Sequence, residues 1–220
     1  MFDDIVSRYD LLNDMLSLGF DRWWRRRAVG AVVAAEGSPV LDLGCGTGRL
    51  GEHLAARNAV VGVDLSGEML AAARRRLGDR IALVQASATQ LPFADGTFAA
   101  AATAFVLRNL PDLPVAFAEV SRVLRPGASI AFVDITEPVQ PVLRRAFDAY
   151  FRAAAPALGS LVGKRRAYRY LVGSLAQLPP PSTVCAMLER AGFEDVRARV
   201  VFPGMVTLWT AKRARDDSGG

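Results

Sequence analysis

Residues 40–48 read Val-Leu-Asp-Leu-Gly-Cys-Gly-Thr-Gly. Apolar and β-branched positions run straight into Gly44, Gly46 and Gly48, which predicts a buried strand ending in a turn open to close ligand approach. The helix that follows offers free N–H groups to whatever rests on the turn. Two glycine spacings overlap here. Gly44-x-Gly46-x-Gly48 is that of S-adenosylmethionine sites, whereas Gly46-x-Gly48-x-x-Gly51, with Asp64 about 20 residues on, fits a dinucleotide fingerprint. Asp42 favours the first: a carboxylate at the strand tip repels a pyrophosphate and attracts the ammonium of a methionine moiety. Asp64 ends a second apolar run, Val60-Val61-Gly62-Val63, where it is expected to accept hydrogen bonds from both ribose hydroxyls. A glycine turn that only reverses the chain is the plain alternative.

Alternating elements must position these residues. Strands are expected near 39–43, 59–64, 81–85, 98–105 and 128–134, and helices near 47–57, 67–77 and 114–124. Ser66 reads as the cap of the second helix, Pro114 as an early position of the third, and Pro126-Gly127 as its end. Alternation with apolar strands implies an α/β fold with a Rossmann-like, mostly parallel sheet covered on both faces. Two helices, about 4–16 and 21–35, precede the first strand, with Asp21 as a cap for the second. Residues 139–178 read as a helical insertion that would lie over the carboxyl ends of the strands as a lid. A helix at about 182–191 ends at Gly192. The runs Val196–Phe202 and Met205–Ala211 then form an antiparallel hairpin about Pro203-Gly204. This arrangement resembles that of class I methyltransferases, and one domain is expected over 1–212, with N-terminal helices within 1–36 and a frayed tail over 213–220.

Bulk properties agree. A 220-residue chain with 51% apolar and 22% charged residues suits one globular domain. Cys45 and Cys185 give no disulfide framework, and the acidic start Met1-Phe2-Asp3-Asp4 is unlike a signal peptide, so a cytoplasmic setting is expected. The longest apolar run, Phe98 to Leu107 with Thr103 inside it, is too short to span a bilayer. The net charge of +5 concentrates in Arg25-Arg26-Arg27, Arg74-Arg75-Arg76, Arg144-Arg145 and Lys164-Arg165-Arg166. No nucleic-acid-binding module accompanies them, so nucleic acid is not an expected partner. Trp23 and Trp24 ahead of three arginines suit contact with an anionic membrane surface; the plain reading is one core tryptophan beside solvated arginines. The lone histidine, His53, has no companion at ligand spacing, and no metal is expected.

Across nearly its whole length the chain resembles the ubiquinone/menaquinone-biosynthesis C-methyltransferases. Tyr9-Asp10-Leu11-Leu12-Asn13-Asp14, then Ser17-Leu18-Gly19 and Arg22-x-Trp24, resemble that family's N-terminal signature, and Phe105-Val106-Leu107-Arg108-Asn109 its second. Leu91-Pro92-Phe93, Arg125-Pro126-Gly127, Pro156-x-Leu158-Gly159 and Tyr168-Arg169-Tyr170-Leu171 follow in the family's order. The resemblance implies methyl transfer from S-adenosylmethionine to a ring carbon of a polyprenylated quinol, with demethylmenaquinol slightly ahead of a benzoquinol. It implies that Thr47, Asp64, Ser87 and Ala88 line the cofactor site. Tyr9, Asn13, Arg108 and Asn109 would then face the quinol, with Arg22 and Tyr168 also on the acceptor side. The chain departs from the family at Ser87, where Asp or Asn is usual, at Val106, where glycine is usual, and at Asp21, where histidine is common. The family's Glu-Phe-Ser piece is here Asp134-Ile135-Thr136.

For carbon methylation, Arg108 would stabilise the quinolate and orient a water, since its own pKa bars it from acting as a base. Asn109 would hydrogen-bond a quinol oxygen. The alternative is that Arg108 pairs with an acid and Asn109 caps a loop. Tyr9 serves equally as a proton relay or a packing wall, and Asp134 reads as a loop-end hydrogen-bonding group rather than a base. Two other functions stand beside this one: a methyltransferase for another lipid-like or aromatic acceptor, and a non-catalytic cofactor-binding subunit. A homo-oligomer is compatible with the sequence, as is peripheral attachment to the membrane's inner face.

Overall fold

The computed structural model describes Asp10, Asp14 and residues 17–138, 140–150 and 178–215. Seven strands form one sheet in the order β3-β2-β1-β4-β5-β7-β6. They are β1 Pro39–Leu43, β2 Ala59–Asp64, β3 Ala82–Gln85, β4 Phe98–Ala104, β5 Leu124–Ile135, β6 Phe193–Val201 and β7 Val206–Arg213. The first five run parallel, and β7 pairs antiparallel with both β5 and β6. The expected parallel sheet closed by an antiparallel hairpin is what forms. Strand order reverses direction between β1 and β4, and in open α/β sheets the crevice at such a reversal is where ligands bind.

The helices are α1 Asp21–Ala31, α2 Arg49–Leu54, α3 Gly67–Leu77, α4 Leu113–Val123 and α5 Pro181–Arg190. Side chains alternate across β1, so the two faces of the sheet carry separate cores. Val40 packs with Trp24, Ala28, Leu50 and Leu54 beneath α1 and α2. Leu41 and Leu43 join Phe98, Phe117, Phe132 and Trp209 on the opposite face. At the centre, β4 is nearly all alanine, which lets the covering helices approach closely, and every one of its residues except Ala99 is buried.

Several boundaries differ from expectation for local reasons. Asp21 is the first residue of α1, not its cap; Phe20 holds the cap position without a side-chain hydrogen bond. The helix stops at Ala31, short of residue 35, because the Val33 N–H and C=O both engage the Ser129 hydroxyl at 2.9 and 3.1 Å. Pro126-Gly127 lies inside β5 instead of closing α4. The register between β4 and β5 jumps from Phe98↔Leu124 to Ala100↔Ser129, and this bulge is where a strand tolerates proline. Capping by Ser66, whose hydroxyl accepts from the Met69 N–H at 3.3 Å, and by Asp112, accepting from Val115 at 3.0 Å, holds α3 and α4 at the expected places. Arg213, expected to open the tail, is the last residue of β7 and donates to the Leu124 carbonyl at 2.5 Å. Of the insertion expected over 139–178, residues 141–150 are helical. The remainder, apart from 140 and 178, lies outside the described residues, as do 216–220. Among the described residues no helix is long and apolar enough to cross a membrane.

Candidate active site

A cavity of about 300 Å3 opens at the carboxyl ends of β1, β2 and β4. Its floor is the glycine turn. The Cys45 N–H donates to the Val63 carbonyl at 2.9 Å and the Gly46 N–H to Asp64 Oδ2 at 2.8 Å, so the turn is tied to the end of β2. Asp64 Oδ1 accepts from the Ser66 N–H at 2.9 Å, which fixes the carboxylate edge beside the turn. Gly44, Gly46 and Gly48 all take positive φ, 63°, 54° and 83°, a region costly for residues with a Cβ. At Gly46 an added Cβ would meet nothing within 4 Å, so the backbone there is open to a ligand.

Of the residues expected to hold the cofactor, Gly44, Gly46, Thr47, Asp64, Ser87 and Ala88 line this cavity. Ser87 has turned its hydroxyl back on its own loop, 2.8 Å from Thr89 Oγ1 and accepting from the Thr89 N–H at 3.2 Å. Thr47 donates to Asp10 at 2.7 Å. Gly48 stands behind the turn, where a Cβ would lie 2.6 Å from Leu77 Cδ1.

Asp42 is a correction. Alternation along β1 gives it the face of Val40, under α2, and it is buried there away from the cavity. Among the described residues neither carboxylate oxygen has a well-formed hydrogen bond, the Gly51 N–H being the donor that faces it. A Cβ on Gly51 would stand 3.0 Å from Oδ2, so a side chain at this turn of α2 would crowd the carboxylate. Burial pushes the Asp42 carboxyl up to about 7, against the opposing pull of the Arg25 charge. Burial likewise pushes the Cys45 thiol far above its ordinary range.

Arg108 is a second correction. The short 3-10 turn Leu107–Asn109 sends its two polar side chains to different places. Asn109 lines the cavity, its Nδ2 3.4 Å from the Phe105 carbonyl. Arg108 turns inward, buried, and pairs through Nη1 with Asp134, a fully buried residue of β5. Asp134 also accepts from the Arg108 N–H at 3.3 Å and the Ile135 N–H at 2.7 Å. Thus Arg108 does not reach the cavity wall. Arg22 is exposed and lies off the cavity as well. Tyr9, Asn13 and Tyr168 fall outside the described residues.

Two charged residues of the cavity, Arg25 and Arg49, are not among the expected site residues. Arg49 donates to Asp14 at 2.7 and 2.8 Å and to Asp21 at 2.9 Å, and stands 3.6 Å from Asp10. Hydrogen bonding from Arg49 holds the Asp14 carboxyl below its usual range. In sequence Arg25 is one of a basic run; the signal that sets it apart is Asp21 four residues earlier, at helical ion-pair spacing. Trp24 proves to be the core tryptophan, its Nε1 donating to the Phe202 carbonyl at 2.8 Å, while Trp23 is partly exposed under the Arg27 guanidinium. Phe105, at the end of β4, holds φ +66°, a strained value for a bulky residue beside a ligand site. Among the described residues, no group of three or more His, Cys, Asp or Glu side chains converges as a metal site would.

The reversal of strand order, the glycine turn and the acid ending β2 define a class I methyltransferase. Solved structures share the fold: an Aquifex aeolicus SAM-dependent methyltransferase superposes with a TM-score of 0.66 at 19% identity, covering 96% of this chain and 98% of that one. A Haemonchus contortus phosphoethanolamine N-methyltransferase solved with S-adenosyl-L-methionine gives 0.66 at 14%, covering 98% and 60%. Residues 1–213 match the ubiE/COQ5 methyltransferase family, and the chain belongs to it. It is 41% identical over 220 residues to the ubiquinone/menaquinone biosynthesis C-methyltransferase of Syntrophotalea carbinolica, covering 97% of this chain and 93% of that protein. To the demethylmenaquinone methyltransferase of Clavibacter sepedonicus it is 41% identical, covering 94% and 86%, and to that of Thermus thermophilus 39%, covering 97% and 100%.

Proposed function

We propose that the chain methylates a ring carbon of a polyprenylated quinol, demethylmenaquinol foremost, with S-adenosylmethionine as donor. It is a methyltransferase by family, and its relatives carry out quinone-biosynthetic methylation. The observation that carries the reading is one cavity that gathers the glycine turn, Asp64 and Asn109 at the carboxyl edge of the sheet. Its residues fit such a donor. The turn is open at Gly46, the Asp64 carboxylate is aimed by two N–H groups, and Leu43, Met69, Ala88 and Leu110 supply apolar wall.

The donor supplies a methyl group on a positively charged sulfur. Apolar wall residues favour a reaction in which that charge and a quinolate charge disappear together, because water would stabilise the separated charges more than the neutral products. Asp64 holds the ribose, and the Ser87–Ala88 stretch flanks the adenine. Asn109 hydrogen-bonds an acceptor oxygen and sets which ring carbon faces the methyl group. Arg108, through Asp134, fixes the turn from which Asn109 projects. That makes Arg108 and Asp134 positioning residues. We place the enzyme in the cytoplasm against the membrane, where Trp23, Arg22, Arg26 and Arg27 on exposed positions of α1 suit anionic headgroups.

Incubation of the purified chain with methyl-labelled donor and a short-chain demethylmenaquinol, kept reduced, tests the reading. Mass spectrometry is expected to show one methyl added to the naphthoquinol ring, with a matching benzoquinol a poorer acceptor. Donor binding with no transfer to either quinol overturns the acceptor assignment.

A further inference from the structure

The arginine run at residues 25–27 divides once folded. Arg26 and Arg27 are exposed, but Arg25 is only 6% exposed and lines the cavity. Its Nε donates to both oxygens of Asp21, at 3.1 and 2.9 Å. Its guanidinium carbon lies 5.1 Å from the centroid of the Phe105 ring. Among the described residues the two terminal nitrogens of Arg25 have no acceptor. A guanidinium carries five N–H donors, so the four on the terminal nitrogens open onto the cavity from a side chain that is otherwise buried. A largely desolvated cation that turns its free edge to a cavity offers a strong site for an anion there.

Arg49, the other arginine of the cavity, makes the contrast. Both of its terminal nitrogens are engaged, in three hydrogen bonds to Asp14 and Asp21, and its Nε stands 3.6 Å from Asp10. Arg25 is therefore the cation of the pair with hydrogen bonds to give. Its place along the cavity indicates to what. Asp64 ends β2 and Ser87 follows β3, whereas Arg25 packs on Phe105 just past β4, on the far side of β1. Two strand spacings, about 10 Å, separate the β2 and β4 ends. A ligand whose ribose sits on Asp64 and whose tail crosses the glycine turn brings the end of that tail to Arg25.

We infer that Arg25 receives the α-carboxylate of the donor's amino-acid tail, with Asp21 holding the guanidinium plane so that its terminal edge faces the turn. Planar, paired donors match a carboxylate in two hydrogen bonds. The inference rests on the assignment of the cavity to S-adenosylmethionine.

Titration calorimetry with adenosine, S-adenosylhomocysteine and decarboxylated S-adenosylhomocysteine tests it. The wild-type protein is expected to prefer S-adenosylhomocysteine over its decarboxylated form by about ten-fold or more, the size of a charge-assisted pair. Arg25→Gln is expected to bring the two within about two-fold of each other while adenosine binding stays put, measured below the lowered thermal transition that loss of the Asp21 pair brings. Arg25→Lys, which keeps the charge but loses the fork, is expected to retain part of the preference. A preference that survives Arg25→Gln overturns the inference. So does an equal weakening of all three ligands, or intact donor binding with lost turnover, which would assign Arg25 to the acceptor. If wild-type protein binds neither adenosine nor S-adenosylhomocysteine, the donor assignment itself falls and the inference with it.

Discussion

Val106 fills the space in which a side chain on Gly44 would stand: a Cβ there would lie 2.5 Å from Val106 Cγ2 and 2.6 Å from Cγ1. The first glycine of the turn and the residue just past β4 are thus one steric unit, and both border the cavity. Gly44→Ala is expected to cost about 1–3 kcal/mol from crowding alone, with about 1–2 kcal/mol more for a Cβ at φ +63°. Adding Val106→Gly should return the crowding part and leave the backbone part. Urea titrations of the four proteins of this cycle measure the coupling; strictly additive effects would contradict the contact.

The Arg108–Asp134 pair is unequal in what each partner leaves behind. Asp134→Ala abandons a guanidinium that is already short of an acceptor at Nε, and is expected to destabilise by about 3–5 kcal/mol. Arg108→Met leaves Asp134 its two N–H donors and should cost less. The double change Arg108→Met with Asp134→Leu should recover much of the loss. Chemical denaturation of the three variants checks the order.

Asp64→Ala frees the Gly46 and Ser66 N–H groups and removes the acceptor edge from the cavity. Donor binding should weaken by about 1–3 kcal/mol. An unchanged dissociation constant in calorimetry would put the ribose elsewhere.

Asp42 gives a pH signature. Its folded-state value of about 7 lies above its ordinary 3.8, so the native protein keeps this proton while the unfolded chain releases it. The contribution to stability is complete below about pH 4 and is lost as pH rises through 7, a change of roughly 4 kcal/mol if the full difference is expressed. Asp42→Asn, which cannot ionise, should lack that decline. Urea midpoints of both proteins between pH 4.5 and 8 provide the check, and parallel profiles would exclude a buried neutral carboxyl.

Much of the fold was legible because its signals were local. Apolar runs marked β1 and β2, the Ser66 cap marked α3, Pro114 marked the start of α4, and the Pro203-Gly204 corner marked the hairpin. The glycine turn and Asp64 could be read for the same reason, as strand-end residues with one available direction. Asp42 and Arg108 were misplaced because their directions depend on partners far along the chain. Asp42 follows the pleat of β1 under α2, and Arg108 finds Asp134, 26 residues away. Arg25 was passed over because three arginines in a row look alike until a helix turns one of them inward. The extent of β5 was hidden by a bulge that a proline ordinarily signals as an ending.

The arrangement of Arg49 has a consequence for how the site responds to its surroundings. One cation gathers acids from ahead of α1 and from α1 itself, so the rim on that side is pinned to the glycine turn by charge. The sheet below is held by buried apolar packing. Dissolved salt therefore acts on one and spares the other: brine should slacken the mouth of the enzyme well before it loosens the body.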